Sequence, residues 1–226
     1  MDATPSASLT PAIAPDHPGV PELFAVLAYG EISAFYRLAE EAQLSPTLRG
    51  KVAVAKMAAA EMGHFTTLER ALSERGLDVF DSMAPYVRAL DAYHASTNPS
   101  TWQESMVKLY VGDGIAADFY REIAGALAPE VAEIVRDVLA ETGHSQFVVD
   151  EVRHAVASSR RAKDRLMLWG RRLLGEAITQ AQFVLAQREE LTDLVITATG
   201  DLSNIIALFD RMQRSHADRM AVLGLV

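Results

Sequence analysis

Two four-residue stretches bring together the side chains best suited to joint chemistry: Glu61-Met62-Gly63-His64 and Glu141-Thr142-Gly143-His144. A Glu and a His three residues apart on a helix lie one turn along and about 60° apart around the axis, so carboxylate and imidazole converge on one point. Oxygen and nitrogen donors in that arrangement suit a divalent cation. One such pair from each of two helices is half of the ligand set of a dinuclear carboxylate bundle, and one carboxylate from each of two further helices completes it. A third copy, Glu151-Val152-Arg153-His154, has no Gly before its His. It begins ten residues beyond Glu141, about 15 Å further along a helix, and reads as a surface pair.

The elements that must position these residues follow from periodicity. Apolar residues recur at helical spacing from Glu22 to Ala42 (Leu23, Leu27, Ala34, Leu38), with Glu31 inside the stripe. A second helix is predicted from a Ser45 N-cap and Pro46 to a stop at Gly76, with the stripe Val54, Ala58, Glu61, Phe65, Leu68, Leu72. Leu77 to Ser100 holds Pro85, Pro99 and a short helical pattern over Tyr86 to Tyr93, which reads as a long crossover. A third helix is expected from Thr101 to Leu127 with Asp113 in its stripe, and a fourth after Ala128-Pro129 with Glu141 in its stripe. Two more are expected over Arg161–Glu190 and Leu202–Leu223, separated at Gly200-Asp201. The fold class is therefore all-α.

Each of the first four helices carries one acid in its core-facing stripe. Four buried carboxylates beside two imidazoles leave uncompensated charge, and each unpaired buried ion costs several kcal/mol. Two divalent cations would balance them. The candidate ligands are Glu31, Glu61, His64, Asp113, Glu141 and His144, with Asp118 the other choice for the place of Asp113. A Gly lies beside each carrier (Gly30, Gly63, Gly112, Gly143), although Gly costs a helix roughly 1 kcal/mol relative to Ala. That pattern predicts a clearance requirement around the site.

Composition removes several classes. The chain of 226 residues has no cysteine, which excludes disulfides, zinc–thiolate sites, iron–sulfur clusters and cysteine nucleophiles. The formal charge of −9 argues against a general nucleic-acid coat. No apolar run reaches membrane-spanning length and no signal peptide is evident, so a cytoplasmic location is expected. Residues 1–21, holding five of the nine prolines, read as an extended or disordered arm. Residues 22–157 form the expected four-helix unit, and 158–226 two further helices that pack on it or form a homodimer interface.

The two halves repeat. Gly30-Glu31, Phe35-Tyr36-Arg37 and Glu61-x-Gly63-His64 are matched by Gly112-Asp113, Phe119-Tyr120-Arg121 and Glu141-x-Gly143-His144. With the long crossover between two helix pairs, the chain resembles the ferritin-like di-iron superfamily over Glu22 to about Val156. More narrowly it resembles the tRNA-(2-methylthio-isopentenyl-adenosine) hydroxylase group and its actinobacterial relatives. The resemblance implies a ferritin-like bundle holding two iron ions, with manganese as the alternative. Glu31 and Asp113 would then bind terminally, Glu61 and Glu141 would bridge, and His64 and His144 would bind one metal each. Asp113 departs from the usual Glu.

The implied activity is O₂-dependent hydroxylation, with a modified tRNA nucleoside as substrate and electrons from an external reductase. Arg153 to Arg172 holds seven basic residues against the single acid Asp164. Within it Arg160, Arg161, Lys163, Arg165, Arg171 and Arg172 are the candidate phosphate contacts, and Trp169 a candidate for base stacking. Two alternatives stand beside this reading. One is a metal-handling or peroxide-consuming protein without an organic substrate, the other a non-enzymatic helical protein with a degenerate site.

Overall fold

The computed structural model describes residues 13–140 and 145–226. Among them the regular structure is helical: α1 (Gly19–Leu44), α2 (Leu48–Ser73), α3 (Val79–Ser96), α4 (Trp102–Ala124), α5 (Pro129–Val138), α6 (Ser145–Ser158), α7 (Arg160–Leu185), α8 (Glu189–Thr199) and α9 (Leu202–Val222). Most helix starts are set by a side-chain oxygen that takes up an otherwise orphaned backbone N–H. Thr47 accepts from Gly50, Asp78 from Phe80 and Asp81, Thr101 from Glu104, Ser159 from Ala162 and Asp201 from Asn204. Left-handed glycines follow three helix ends, Gly76 at φ +73°, Gly200 at φ +96° and Gly224 at φ +75°, where any side chain would be strained.

Several boundaries differ from expectation. The second helix is capped by Thr47, not Ser45, whose buried hydroxyl sits against Thr47 in the turn after α1. The crossover contains a full helix of 18 residues, α3, with Pro85 accommodated inside it. The expected fourth helix is two segments, α5 ending at Val138 and α6 beginning at Ser145. The expected fifth helix ends at Leu185, because Arg188 leaves helical geometry and its guanidinium grips the Glu22 carboxylate at 2.6 and 2.9 Å. Tyr86 donates to that carboxylate as well. The expected arm also shortens: Ile13 is fully buried and exchanges backbone hydrogen bonds with Ala126 and Ala128, and α1 already begins at Gly19. Residues 1–12 lie outside the described residues.

Helices α1 and α2 run antiparallel and pack along their length, whereas α1 barely touches α4. The later helices are built into the assembly: α7 packs on α3 and α4, α8 on α1, and α9 on α4. Two apolar clusters result. One gathers Phe24, Leu68, Tyr86, Val135 and Leu194, the other Val54, Met106, Val152, Leu173 and Leu208. Each fully buried side chain of this size contributes about 1.5–3 kcal/mol. Phe119 packs against both clusters. Between α1 and α4 the packing leaves a cavity.

Candidate metal centre

Glu31 on α1 meets Glu61 and His64 on α2. The His64 Nδ1 lies 3.3 Å from a Glu31 carboxylate oxygen and 3.4 Å from one of Glu61. The pair on α2 meets by the three-residue spacing, and Glu31 joins because the two helices are packed antiparallel at that level. One donor atom from each residue fits within a sphere of contacts no longer than 4.8 Å. All three side chains are largely withdrawn from water.

Burial and the three groups themselves set the electrostatics of the cluster. Burial pushes the Glu31 carboxyl up to about 9, with the neighbouring Glu61 adding to it and His64 opposing. Burial acts on Glu61 in the same sense, but hydrogen bonds with His64 and Glu31 outweigh it and leave Glu61 below the usual range. Hydrogen bonds to both carboxylates hold the His64 imidazole up at about 10. Two carboxylates held this close repel one another unless positive charge lies among them, and the donors are of the kind iron or manganese accepts.

The remaining expected ligands stand differently. Asp113 on α4 lines the same cavity as the cluster but is not part of it. Its neighbour Tyr93 is pushed well up, by burial and then by the Asp113 charge. Asp118 is engaged elsewhere, 2.7 Å from Arg219 and 3.6 Å from Arg121. Glu141 and His144 lie outside the described residues. The third motif behaves as a surface pair: Glu151 accepts from the Trp102 indole at 3.0 Å, and His154 is exposed.

Other expectations change. No tight clearance explains the three described glycines: a methyl at Gly63 would meet nothing within 4 Å, and at Gly30 and Gly112 only ordinary contacts, while Gly143 lies outside the described residues. Gly30 and Gly112 instead line the cavity. Tyr36 is 60% exposed, whereas Tyr120 lines the cavity beside Glu31 and its phenol is pushed up by burial and by that carboxylate. Of the six basic candidates, Arg165 is bound to Glu104 at 2.8 Å and to the Thr101 hydroxyl. Arg160, Arg161, Arg171 and Arg172 are exposed and Lys163 half-buried. Trp169 is buried, its indole donating to the Glu104 carbonyl at 3.0 Å, so packing occupies the ring.

The cavity holds about 580 Å³ and its wall is mostly apolar. Periodicity alone missed the polar residues lining its other part: Arg37, Glu41, His94 and Lys108. The available signal was Lys108 itself, a lone charge in the apolar run from Met106 to Val111.

The family model of a ferritin-like domain from actinomycetes matches residues 16–198. No curated protein matches the chain.

Proposed function

The chain belongs to this ferritin-like family, and from that premise we propose that it is a non-haem di-iron oxidoreductase that hydroxylates an organic molecule held in the cavity. The observation that carries the reading is the convergence of Glu31, Glu61 and His64 from two packed helices beside a cavity of ligand size. Asp113, Glu141 and His144 are the proposed second half of the ligand set, with manganese the alternative metal. Bound there, a reduced metal pair would supply the electrons that activate O₂ for insertion into a C–H bond. The chain's own part is to hold the donors and keep water from the apolar wall. With no cysteine the chain carries no thiolate-bound redox centre, so a separate reductase is the proposed electron source.

Among the described residues no single helix is long and apolar enough to cross a membrane; we propose a cytoplasmic setting. A tRNA nucleoside as substrate has one support, the exposed Arg160, Arg161, Arg171 and Arg172 on α7. Replacing all four with Gln is expected to abolish tRNA binding under that reading, and unchanged binding would remove it. The oxidoreductase reading is tested by O₂ uptake of the iron-loaded, chemically reduced protein. Uptake is expected in wild type and absent from His64→Ala; equal uptake by both would contradict the assignment.

A further inference from the structure

The cavity has two polar regions separated by apolar wall. One is the Glu31–Glu61–His64 cluster. The other gathers Arg37 and Glu41 from α1, His94 from α3 and Lys108 from α4. Glu31 and Glu41 are ten residues apart on one helix, so the regions are separated by up to about 15 Å along the bundle. Leu38, Met57, Leu109 and Ile115 form part of the wall they share.

The second region has more donors than acceptors. Lys108 is buried, its ammonium donating to the Thr97 carbonyl at 2.8 Å and lying over the Tyr93 ring. The His94 Nδ1 is buried without a hydrogen-bond partner. Neither Lys108 nor Arg37 enters an ion pair among the described residues. Among the described residues Glu41 is the acid whose charge acts on Lys108, and burial pushes its carboxyl up to about 7, so at neutral pH it offsets only part of one positive charge. Burial and the cations Lys108 and Arg37 press His94 down to about 3, leaving a neutral ring with one N–H to give. Buried donors without acceptors are costly, and a cavity that contains them favours an anion.

We propose that the cavity binds an elongated, mostly apolar molecule with one anionic head group, a carboxylate or phosphate monoester. Lys108, Arg37 and His94 hold the head, and the apolar body runs along Leu38, Met57 and Leu109 toward the Glu31–Glu61–His64 cluster. The guanidinium offers the paired N–H groups that match a carboxylate or phosphate, and the ammonium a compact charge. That the bound molecule is the substrate rests on the di-iron reading; that it binds does not. An anchored head would fix which carbon along the chain lies nearest the cluster.

The test is calorimetric titration of the full chain with monomeric decanoate, decyl phosphate and decan-1-ol, metal-free and after iron loading. Wild type is expected to bind both anions at least roughly tenfold more tightly than the alcohol, the strength of a charge-assisted contact. Arg37→Gln should lose about that factor for the anions and leave the alcohol unchanged. Glu41→Gln, which removes a repelling carboxylate, should tighten anion binding; a structural Glu41–Lys108 pair alone would predict weaker binding instead. Equal binding of alcohol and anions, or an Arg37→Gln variant indistinguishable from wild type, would overturn the proposal. Glu61→Ala separates the two readings, since it should lose iron and keep decanoate. Decanoate binding without iron uptake by wild type would sink only the di-iron reading, and iron uptake without anion preference only this one.

Discussion

The two halves of the molecule carry the same sequence motif in different helical settings. In the first half, α1 and α2 are continuous helices of 26 residues packed along their length, and their backbones alone bring Glu31, Glu61 and His64 into one cluster. In the second, α4 is intact, but the partner helix is divided into α5 of ten residues and α6 of 14. The second motif falls between those segments. Asp113 stands on the cavity wall, apart from the first cluster. Among the described residues the ligand spacing forms a cluster where a packed partner helix holds it in register; Glu141 and His144 lie outside them. The order of metal affinity in the two halves should follow.

The repeat also differs in phase. Glu31 and Phe35 are four residues apart, Asp113 and Phe119 six. Two additional residues rotate a helix by about 200°, so the same Phe-Tyr-Arg triplet turns to nearly the opposite face. Tyr120 consequently lines the cavity while Tyr36 points to solvent. Both aromatic pairs keep the same ring spacing, 5.6 Å for Phe35–Tyr36 and 5.4 Å for Phe119–Tyr120, so the difference lies in helix phase and not in local packing.

The largest effect that would break this comparison is on metal affinity. His64→Ala should weaken Fe²⁺ or Mn²⁺ binding by on the order of 100-fold or more, beyond what loss of an outer contact costs. The same change at His144 should cost less, and at His154 nothing, with equilibrium dialysis as the measurement. An equal loss at His64 and His144 would mean that metal affinity ignores the asymmetry. Next come the glycines. Gly114→Ala on α4 would set a methyl 2.5 Å from the Arg219 side chain that pairs with Asp118, and should destabilise by about 1–3 kcal/mol. Gly63→Ala on α2 meets open space and should stabilise by about 1 kcal/mol in urea unfolding. A destabilised Gly63→Ala would restore the clearance requirement.

The smallest effect lies where the halves meet, at Glu41 on α1 and Lys108 on α4. Burial raises Glu41 from 4.5 to about 7, so the native chain holds a proton that the unfolded chain releases. Its contribution to stability falls as pH rises across that window. Burial lowers Lys108 from 10.5 to about 8, so above pH 8 the unfolded chain holds the extra proton and stability recovers as pH rises. The Glu41 and Lys108 contribution to the stability of the metal-free protein should pass through a shallow minimum between about pH 7 and 8, on top of the continuing fall that Glu31 and His64 add as pH rises. The Glu41→Gln/Lys108→Met double variant should lack it; a minimum of equal depth there would place its origin elsewhere.

Much of this was legible in the sequence, for reasons tied to particular residues. Periodicity exposed the stripes because α1, α2 and α4 each bury one face, and the acids within those stripes pointed to Glu31 and Glu61, whereas Asp113 lines the cavity but is exposed and apart from the cluster. Gly76 and Gly200 marked stops because their conformations need positive φ. The helix start at Thr47 was misplaced by two residues, since Ser45-Pro46 offers the same capping chemistry. The end of α7 was illegible because Arg188 is drawn out of the helix by Glu22, 166 residues away. The polar end of the cavity was illegible for the same reason, as Arg37, His94 and Lys108 come from three helices and share no spacing.

The central claim is that the paired motifs bind a pair of metals. It is tested most directly by iron content after anaerobic Fe²⁺ loading of wild type and of a Glu61→Ala/Glu141→Ala double variant. About two irons per wild-type chain, lost in the variant, is the expected result for a dinuclear carboxylate bundle. Wild type that retains neither iron nor manganese would contradict the account and leave the repeat as an inherited core.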